Sequence, residues 1–562
     1  MILRAKFLPA GCRPLASALA AAVVLAPAWA TAQEGRRDDA PRAQTLRELG
    51  ETLSPDVEYP DQLDRMAVHQ ALTGGLPHES RGEFGMSPHA TPEQVREALA
   101  RVEFPAVEGP FEPTWQSIYD NYKLPSWLEQ GKFGIFIHFG LYSIPAHHNE
   151  WYQKHMYGNG GIRNWHIEHF GPLDKFGYKD FIPMFTLPEF RPDEWAEAFA
   201  QSGARWVMPT AEHHDGYSLW DSEVNRFNSV KTGPKRDFVR ELGDAVRAQG
   251  MKYGVTNHTI EHYDFIEPDN VPDDMATDLK AEGYEDFYWT THNDQRMVEH
   301  LVVWLKKNIE LIDKYRPAVL WFDNGVNHRV FDPMKLKVVA YYYNRARQWG
   351  EEVTVTGKGT AFVAGDLQDF EGMGRAPRGM ADYTWLAHDT LTGVWGYIEG
   401  ARAKSADAVV RTLVECVCRR GVYALNVSPK GDGSIPADQV ASLRGIGDWL
   451  KVNGEAIYGA TVWNKPGEGS LRIGGRYSGK DIRFTKREGN LYAIVMGWPE
   501  GGKAVITSLP AGGPAGQPSG VTLLGSDAAP TFKQDETGLA IALPAEAPGK
   551  GPWVLRIEGL TL

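Results

Sequence analysis

The sequence predicts an α/β chain: a (β/α)8-like barrel followed by a small C-terminal β-sandwich. Three observations lead there. Over residues 115–463, short apolar runs alternate with amphipathic stretches, the pattern of strands joined by helices into a parallel sheet. Several of those runs end in a charged or imidazole-bearing residue, which is where a barrel places its chemistry. From about residue 464 the texture changes to short alternating runs cut by Gly and Pro, the pattern of a β-sandwich.

Residues 1–32 read as a secretory leader. Arg4, Lys6 and Arg13 form a basic start, residues 15–25 an Ala/Val/Leu core, and Ala28-Trp29-Ala30 a small-x-small cleavage site. The apolar run is too short for a membrane span, and no later stretch reaches that length. An exported protein without a transmembrane segment is expected. Residues 33–112 read as an N-terminal linker with a helical extension: 33–60 are charged and poor in large apolar residues, and Thr91-Pro92-Glu93 opens a helix.

Residues 113–463 form the expected barrel. Its strand candidates are 133–139, 205–210, 252–256, 318–322, 352–356, 367–370, 394–398 and 422–427. Amphipathic stretches lie at 192–201, 237–249, 296–315, 333–349, 405–420 and 436–452. A doubly wound sheet competes with the barrel, but no Gly-rich phosphate loop follows the first strand. Residues 464–562 form the expected sandwich, with strand candidates at 482–484, 491–496, 504–506, 539–543 and 553–557.

Composition narrows the function. The formal net charge of −13 makes a poor platform for nucleic acid or an anionic membrane. Of 3 cysteines, Cys12 leaves with the leader. Cys416 and Cys418 are two apart on a helix, a spacing that points them to different faces, so they read as small buried hydrophobes and not as a disulfide. The 18 Trp and 22 Tyr supply planar faces that suit sugars, and equally suit a large core.

Val319-Leu320-Trp321-Phe322-Asp323-Asn324-Gly325 is the most telling segment. A buried run delivers one carboxylate to its C-terminal end and then breaks. Burying that charge is costly unless it is used or paired; on this segment alone a structural Asp capping the loop fits as well. The second strand ends in Glu212-His213-His214-Asp215, whose histidines suit hydroxyl recognition or a metal. Neither His147-His148 nor His258/His262 completes a metal spacing, so no metal is expected. The first strand ends in His138, and Asn149-Glu150-Trp151 follows: a carboxylate for a sugar's polar edge and an indole for its apolar face. Beyond Asp323, the next carboxylates at a strand mouth are Asp366, Asp369 and Glu371. Two carboxylates from different strands are what glycoside hydrolysis needs, one attacking or activating water and one protonating the leaving oxygen with a raised pKa.

Taken in order, these motifs resemble the α-L-fucosidases of glycoside hydrolase family 29. The resemblance rests on 131–146 (Gly-Lys-Phe-Gly-Ile-Phe-Ile-His-Phe-Gly-Leu-Tyr-Ser-Ile-Pro-Ala), 149–152 (Asn-Glu-Trp-Tyr) and 212–222 (Glu-His-His-Asp-Gly-Tyr-Ser-Leu-Trp-Asp-Ser). It continues through 320–323 (Leu-Trp-Phe-Asp), 395–397 (Trp-Gly-Tyr), 426–436 (Asn-Val-Ser-Pro-Lys-Gly-Asp-Gly-Ser-Ile-Pro) and 453–459 (Asn-Gly-Glu-Ala-Ile-Tyr-Gly). It implies a retaining exo-hydrolase of fucosylated glycans or oligosaccharides that uses no metal or organic cofactor, in a family that tends toward oligomers. It implies Asp323 as nucleophile, Glu371 as acid/base, and His138, Glu150, Trp151, His213, His214, Trp321 and Lys358 as sugar-binding residues.

The chain departs from the family in four places. His138-Phe139-Gly140 replaces His-Trp-Gly. Thr256-Asn257-His258 stands where Tyr-Tyr-Ser is common, Lys358 where some members carry Arg, and Gly372 where a Glu-Arg-Gly motif has Arg. These departures motivate two other readings: a retaining hydrolase of a related 6-deoxy or galacto-configured sugar, and a non-catalytic carbohydrate-binding protein.

Overall fold

The computed structural model describes residues 90–267, 271, 275–359, 361–527 and 529–562. The leader, the 33–60 linker and the extension as far as residue 89 lie outside the described residues.

The described chain opens with the helix Pro92–Ala100. Thr91 and Gln94 form a capping box there, with Pro at its first turn. Gln94 Nε2 then donates to Asp294 Oδ1 at 3.1 Å, docking this helix on the helix Asp294–Tyr315.

Nine parallel strands follow: β1 (Phe133–Ile137), β2 (Trp206–Glu212), β3 (Lys252–Tyr253), β4 (Val255–Asn257), β5 (Val319–Phe322), β6 (Thr354–Lys358), β7 (Asp366–Glu371), β8 (Trp385–Thr390) and β9 (Gly421–Val427). β1 pairs with both β2 and β9, so the sheet closes, with β3 and β4 sharing one of eight positions. Side chains alternate across each strand, giving the barrel two apolar faces. Phe136, Trp206, Met208, Val319, Trp321 and Leu386 belong to the interior cluster. Their strand neighbours Ile135, Val207, Leu320, Val355 and Leu425 belong to the large cluster shared with the helices. Gly134 makes room for the interior: a Cβ there would meet the Trp206 ring at 2.2 Å.

Seven of the eight predicted strand positions are occupied as expected. The eighth is a correction: 394–398 is not a strand, and β8 lies upstream at Trp385–Thr390. The apolar alternation of Val394-Trp-Gly-Tyr-Ile imitates a strand. The true strand hides its pattern because its inward residue is His388, matched to a buried carboxylate, Asp369, on β7.

After the helix Ala437–Asn453 the chain forms antiparallel strands β10 (Thr461–Glu468), β11 (Ile482–Arg487), β12 (Asn490–Val495), β13 (Lys503–Ile506), β14 (Gly520–Leu523), β15 (Phe532–Asp535), β16 (Gly538–Ala542) and β17 (Trp553–Glu558). They make one sheet of five strands and one of three, closed on a single core that includes Phe484, Leu491, Ile506, Ile541 and Leu555. β10, β14 and β15 carry too few apolar residues to have been recognised in the sequence. A fully buried ionic cluster joins this unit to the barrel. Glu415, on the helix Ala406–Val417, meets Arg483 of β11 at 2.7 Å and also pairs with Arg419. Cys416 and Cys418 are buried and unpaired, as their spacing indicated.

Candidate active site

The period of two builds the site. On β5, Trp321 faces the interior, so Asp323, two residues on, faces the mouth. On β7, Asp369 and Glu371 stand in the same relation. β1 offers Phe136 then His138, β4 Thr256 then His258, β6 Thr356 then Lys358, and β9 Ala424 then Asn426. The lower row is packed or hydrogen-bonded: the Phe136 and Trp321 rings lie 5.1 Å apart, and Trp321 Nε1 donates to Asp369 Oδ2 at 2.7 Å. Asp369 also meets His388 Nδ1 at 2.9 Å, so this carboxylate holds Trp321 and His388 in place and is not available for chemistry.

The upper row converges on a pocket of about 240 Å³ lined by His138, Glu150, Trp151, His213, Asp323, Lys358, Glu371, His388 and Trp395, among others. That is about eight water molecules' share of liquid volume, the scale of one sugar ring.

Asp323 is the electrostatic centre. Its Oδ1 lies 2.6 Å from Lys358 Nζ, and its Oδ2 lies 2.8 Å from His258 Nδ1 and 3.2 Å from His214 Nε2. Burial raises the carboxyl, but Lys358 and His258 more than offset it and hold its pKa well below the usual range. Lys358 Nζ also reaches Glu371 Oε2 at 3.0 Å. Burial opposes the lysine's charge, yet the two carboxylates raise its pKa above the ordinary value. Burial likewise raises Glu371, but Lys358 and His388 outweigh it, and the net shift is downward. A raised pKa was expected for a group that gives up a proton, and this is a correction: the ammonium between the two carboxylates stabilises both charges.

Besides His388, four histidines stand around the same space. His138 Nδ1 is 2.7 Å from Asn426 Oδ1, which turns the other ring nitrogen toward the pocket. His213 and His138 are held neutral, chiefly by burial. Burial also lowers His214, but Asp323 and Glu261 overcome it and raise its pKa. Two triads, His138/His213/His258 and His214/His258/Asp323, bring candidate metal-ligand atoms within 4.8 Å. Both ring nitrogens of His258 are already engaged, by Asp323 and by Thr256, so an ion would have to break those bonds.

Glu150 and Trp151 arrive on a loop whose backbone is strained. Ala146 and His148 take φ of 49° and 70°, the left-handed region that L side chains seldom enter. Ala146 O accepts from Glu399 N at 2.8 Å, and Glu150 Oε2 from Gly396 N at 3.3 Å. Gly396 permits that approach: a Cβ would meet the Tyr142 ring at 2.9 Å. Burial raises the pKa of Glu150. Trp151 leans its ring edge against His214, with centroids 5.5 Å apart.

All nine residues expected from the sequence therefore meet at one barrel mouth: His138, Glu150, Trp151, His213, Trp321, Asp323, Lys358 and Glu371 line the pocket, and His214 touches Asp323 from behind. Sequence reasoning missed His258, Glu261, His388 and Asn426 as members. His258 was legible as the residue two beyond Thr256 on the third strand. His388 sat in the strand that went unrecognised. Glu261 is 3% exposed, lies 3.6 Å from His214 Nε2, and burial pushes its pKa up to about 7.

Comparison with known proteins agrees with this geometry. The profile of the α-L-fucosidase family matches residues 98–455, and that of the α-L-fucosidase C-terminal domain matches 477–558. Human tissue α-L-fucosidase is 28% identical over 467 residues, covering 80% of this chain and 92% of its own. Human plasma α-L-fucosidase is 30% identical over 409 residues, covering 70% and 81%. The Thermotoga maritima α-fucosidase, solved with a mechanism-based inhibitor, superposes with a TM-score of 0.63 at 29% identity, covering 80% of this chain and all of its own. The chain belongs to the α-L-fucosidase family, glycoside hydrolase family 29.

Proposed function

We propose that this chain is an exported, retaining α-L-fucosidase that removes terminal α-L-fucosyl residues from glycans or oligosaccharides. The observation that carries the reading is the contact of one ammonium, Lys358 Nζ, with Asp323 Oδ1 at 2.6 Å and Glu371 Oε2 at 3.0 Å. Two carboxylates that touch one nitrogen stand close together, which fits the spacing of about 5–5.5 Å in retaining enzymes better than the gap of about 6.5–9.5 Å that inverting enzymes leave for a water. Membership of the α-L-fucosidase family supports the choice of glycone.

In the first step an Asp323 oxygen bonds to the anomeric carbon as the glycosidic C–O bond breaks. The leaving oxygen takes the proton of Glu371. In the second step water gives a proton to Glu371 and attacks the same carbon, and the Asp323–sugar ester bond breaks. Asp323 is suited to attack because it is kept ionised. His138, His213 and His214 supply hydrogen-bonding edges for sugar hydroxyls, and Trp151 and Trp321 supply flat apolar faces.

A second assignment of the acid has its own support. Glu150 lines the same pocket, and burial raises its pKa, so it holds a proton more readily than Glu371. Release of 4-nitrophenol from the α-L-fucoside, with Asp323→Ala as control, tests the function. Proton NMR of the first product tests the stereochemistry. Turnover that yields α-fucose first and vanishes in the variant supports the reading. β-Fucose, or activity surviving in Asp323→Ala, refutes it.

A further inference from the structure

We infer that His258 is a positioning residue of the nucleophile, fixed in one tautomer by the Asp323 carboxylate, steadied by Thr256, and holding one oxygen of Asp323 so that the other faces the anomeric carbon. The inference rests on the role proposed for Asp323.

The hydrogen bonds leave one arrangement. His258 Nδ1 lies 2.8 Å from Asp323 Oδ2, and a carboxylate can only accept, so Nδ1 carries the hydrogen. The ring is fully buried, and burial pushes its pKa down to about 4, so it has a single N–H to give. Its Nε2 is then an acceptor and takes the hydroxyl hydrogen of Thr256, whose Oγ1 is 2.9 Å away. Thr256 is itself fully buried, and its position on β4 is fixed by pairing with Trp321 of β5. A chain of Thr256, His258 and Asp323 thus runs along the third and fourth positions of the barrel into the site.

The two oxygens of Asp323 become unequal. Oδ2 is tied to His258 and lies 3.2 Å from His214 Nε2, while Oδ1 is paired with the Lys358 ammonium. With two imidazoles on Oδ2 and only the end of a lysine on Oδ1, the attack is assigned to Oδ1. In the sugar ester Oδ1 becomes the bridging atom and Oδ2 the carbonyl oxygen. A carbonyl oxygen also accepts a hydrogen bond, so the His258 contact persists through both steps. Its loss leaves Oδ2 with only the longer His214 contact, 3.2 Å, and loosens rotation of the carboxyl about its last side-chain bond. A misplacement of about 1 Å at a reacting atom costs on the order of 100-fold.

The third strand of the family often carries Tyr-Tyr-Ser where this chain has Thr256-Asn257-His258. The local departure in sequence is thus a self-consistent unit: Asp323 sets the tautomer of the imidazole, and the threonine hydroxyl satisfies the nitrogen left over.

The test uses the full-length enzyme and 4-nitrophenyl α-L-fucoside, with kcat and KM measured separately for His258→Asn, His258→Gln and His258→Phe. Asn places an amide N–H where Nδ1 was. Gln places it where Nε2 was. Phe keeps the ring volume and gives no N–H. Positioning predicts kcat in the order wild type, Asn, then Gln and Phe, with Phe about 10- to 100-fold down and KM little changed. A packing role predicts the reverse, with Phe best and Asn worst. Phe equal to or better than Asn, or an unchanged kcat in Phe, overturns the inference. Unfolding midpoints of the three variants separate lost folding from lost positioning. Wild type inactive on the fucoside, or Asp323→Ala active, overturns the proposed function instead; wild type active and Asp323→Ala inactive leaves the His258 order as the sole question.

Discussion

Lys358 Nζ lies 2.6 Å from Asp323 Oδ1, across the mouths of adjacent strands β6 and β5. A guanidinium would fork; an ammonium is a point charge, and here it also reaches Glu371. Replacing Lys358 with Met removes the cation that lowers both carboxyl pKa values. The acid limb of kcat/KM should move to higher pH, because Asp323 then protonates more readily. Rates measured from pH 3 to 8 decide it: an unmoved limb means Lys358 does not set the charge of Asp323.

The sign of the pH dependence follows from Glu371. In the substrate-free site its pKa is below the ordinary value, and kcat/KM reports the free enzyme. Its proton is present below that pKa and lost above it. Asp323 must be ionised, and its pKa lies lower still relative to its own ordinary value. For a fucosyl disaccharide, kcat/KM should therefore fall as pH rises through the acid range. A fall displaced to above the ordinary carboxylate range would assign the proton to Glu150, whose pKa burial raises.

The same question has a leaving-group form. Glu371→Gln should cost about 100- to 10,000-fold on a disaccharide and far less on a 4-nitrophenyl fucoside, whose phenolate leaves unaided. Glu150→Gln should weaken both alike if Glu150 only binds the sugar. If the two variants exchange these behaviours, Glu150 is the acid.

The barrel and the sandwich share the buried cluster Glu415, Arg419 and Arg483. Arg483→Met removes one partner of a charge that stays buried, and should destabilise by on the order of 3 kcal/mol in urea unfolding. Replacing all three with apolar residues of similar size should cost less than the single change, since no charge is then left buried. A single variant as stable as wild type would mean Arg419 alone satisfies Glu415.

Much of the barrel was legible because its strands are buried on both faces. Val319-Leu320-Trp321-Phe322 and Gly421–Val427 announce themselves by apolarity. Trp385–Thr390 did not, because His388 is matched to Asp369 from another strand, and a polar pair made across the sheet looks like a loop when only one partner is in view. The decoy at 394–398 erred in the opposite sense: Trp395 and Tyr397 are apolar because they belong to the rim, where Trp395 faces His138 at 5.2 Å between centroids.

By itself the sequence determined the kinds of residue at the strand ends. Asp323, His138 and His213 each stand where an apolar run stops, and that is local information: period, composition and the residue that breaks the pattern. Closure of the sheet decided the rest. It brought Lys358 between two carboxylates, lowered Glu371 where a raised pKa was expected, and set Thr256 and His258 behind Asp323. These are distances between strands far apart in the chain, and a pKa depends on such distances and on burial, neither of which a residue carries in its own identity.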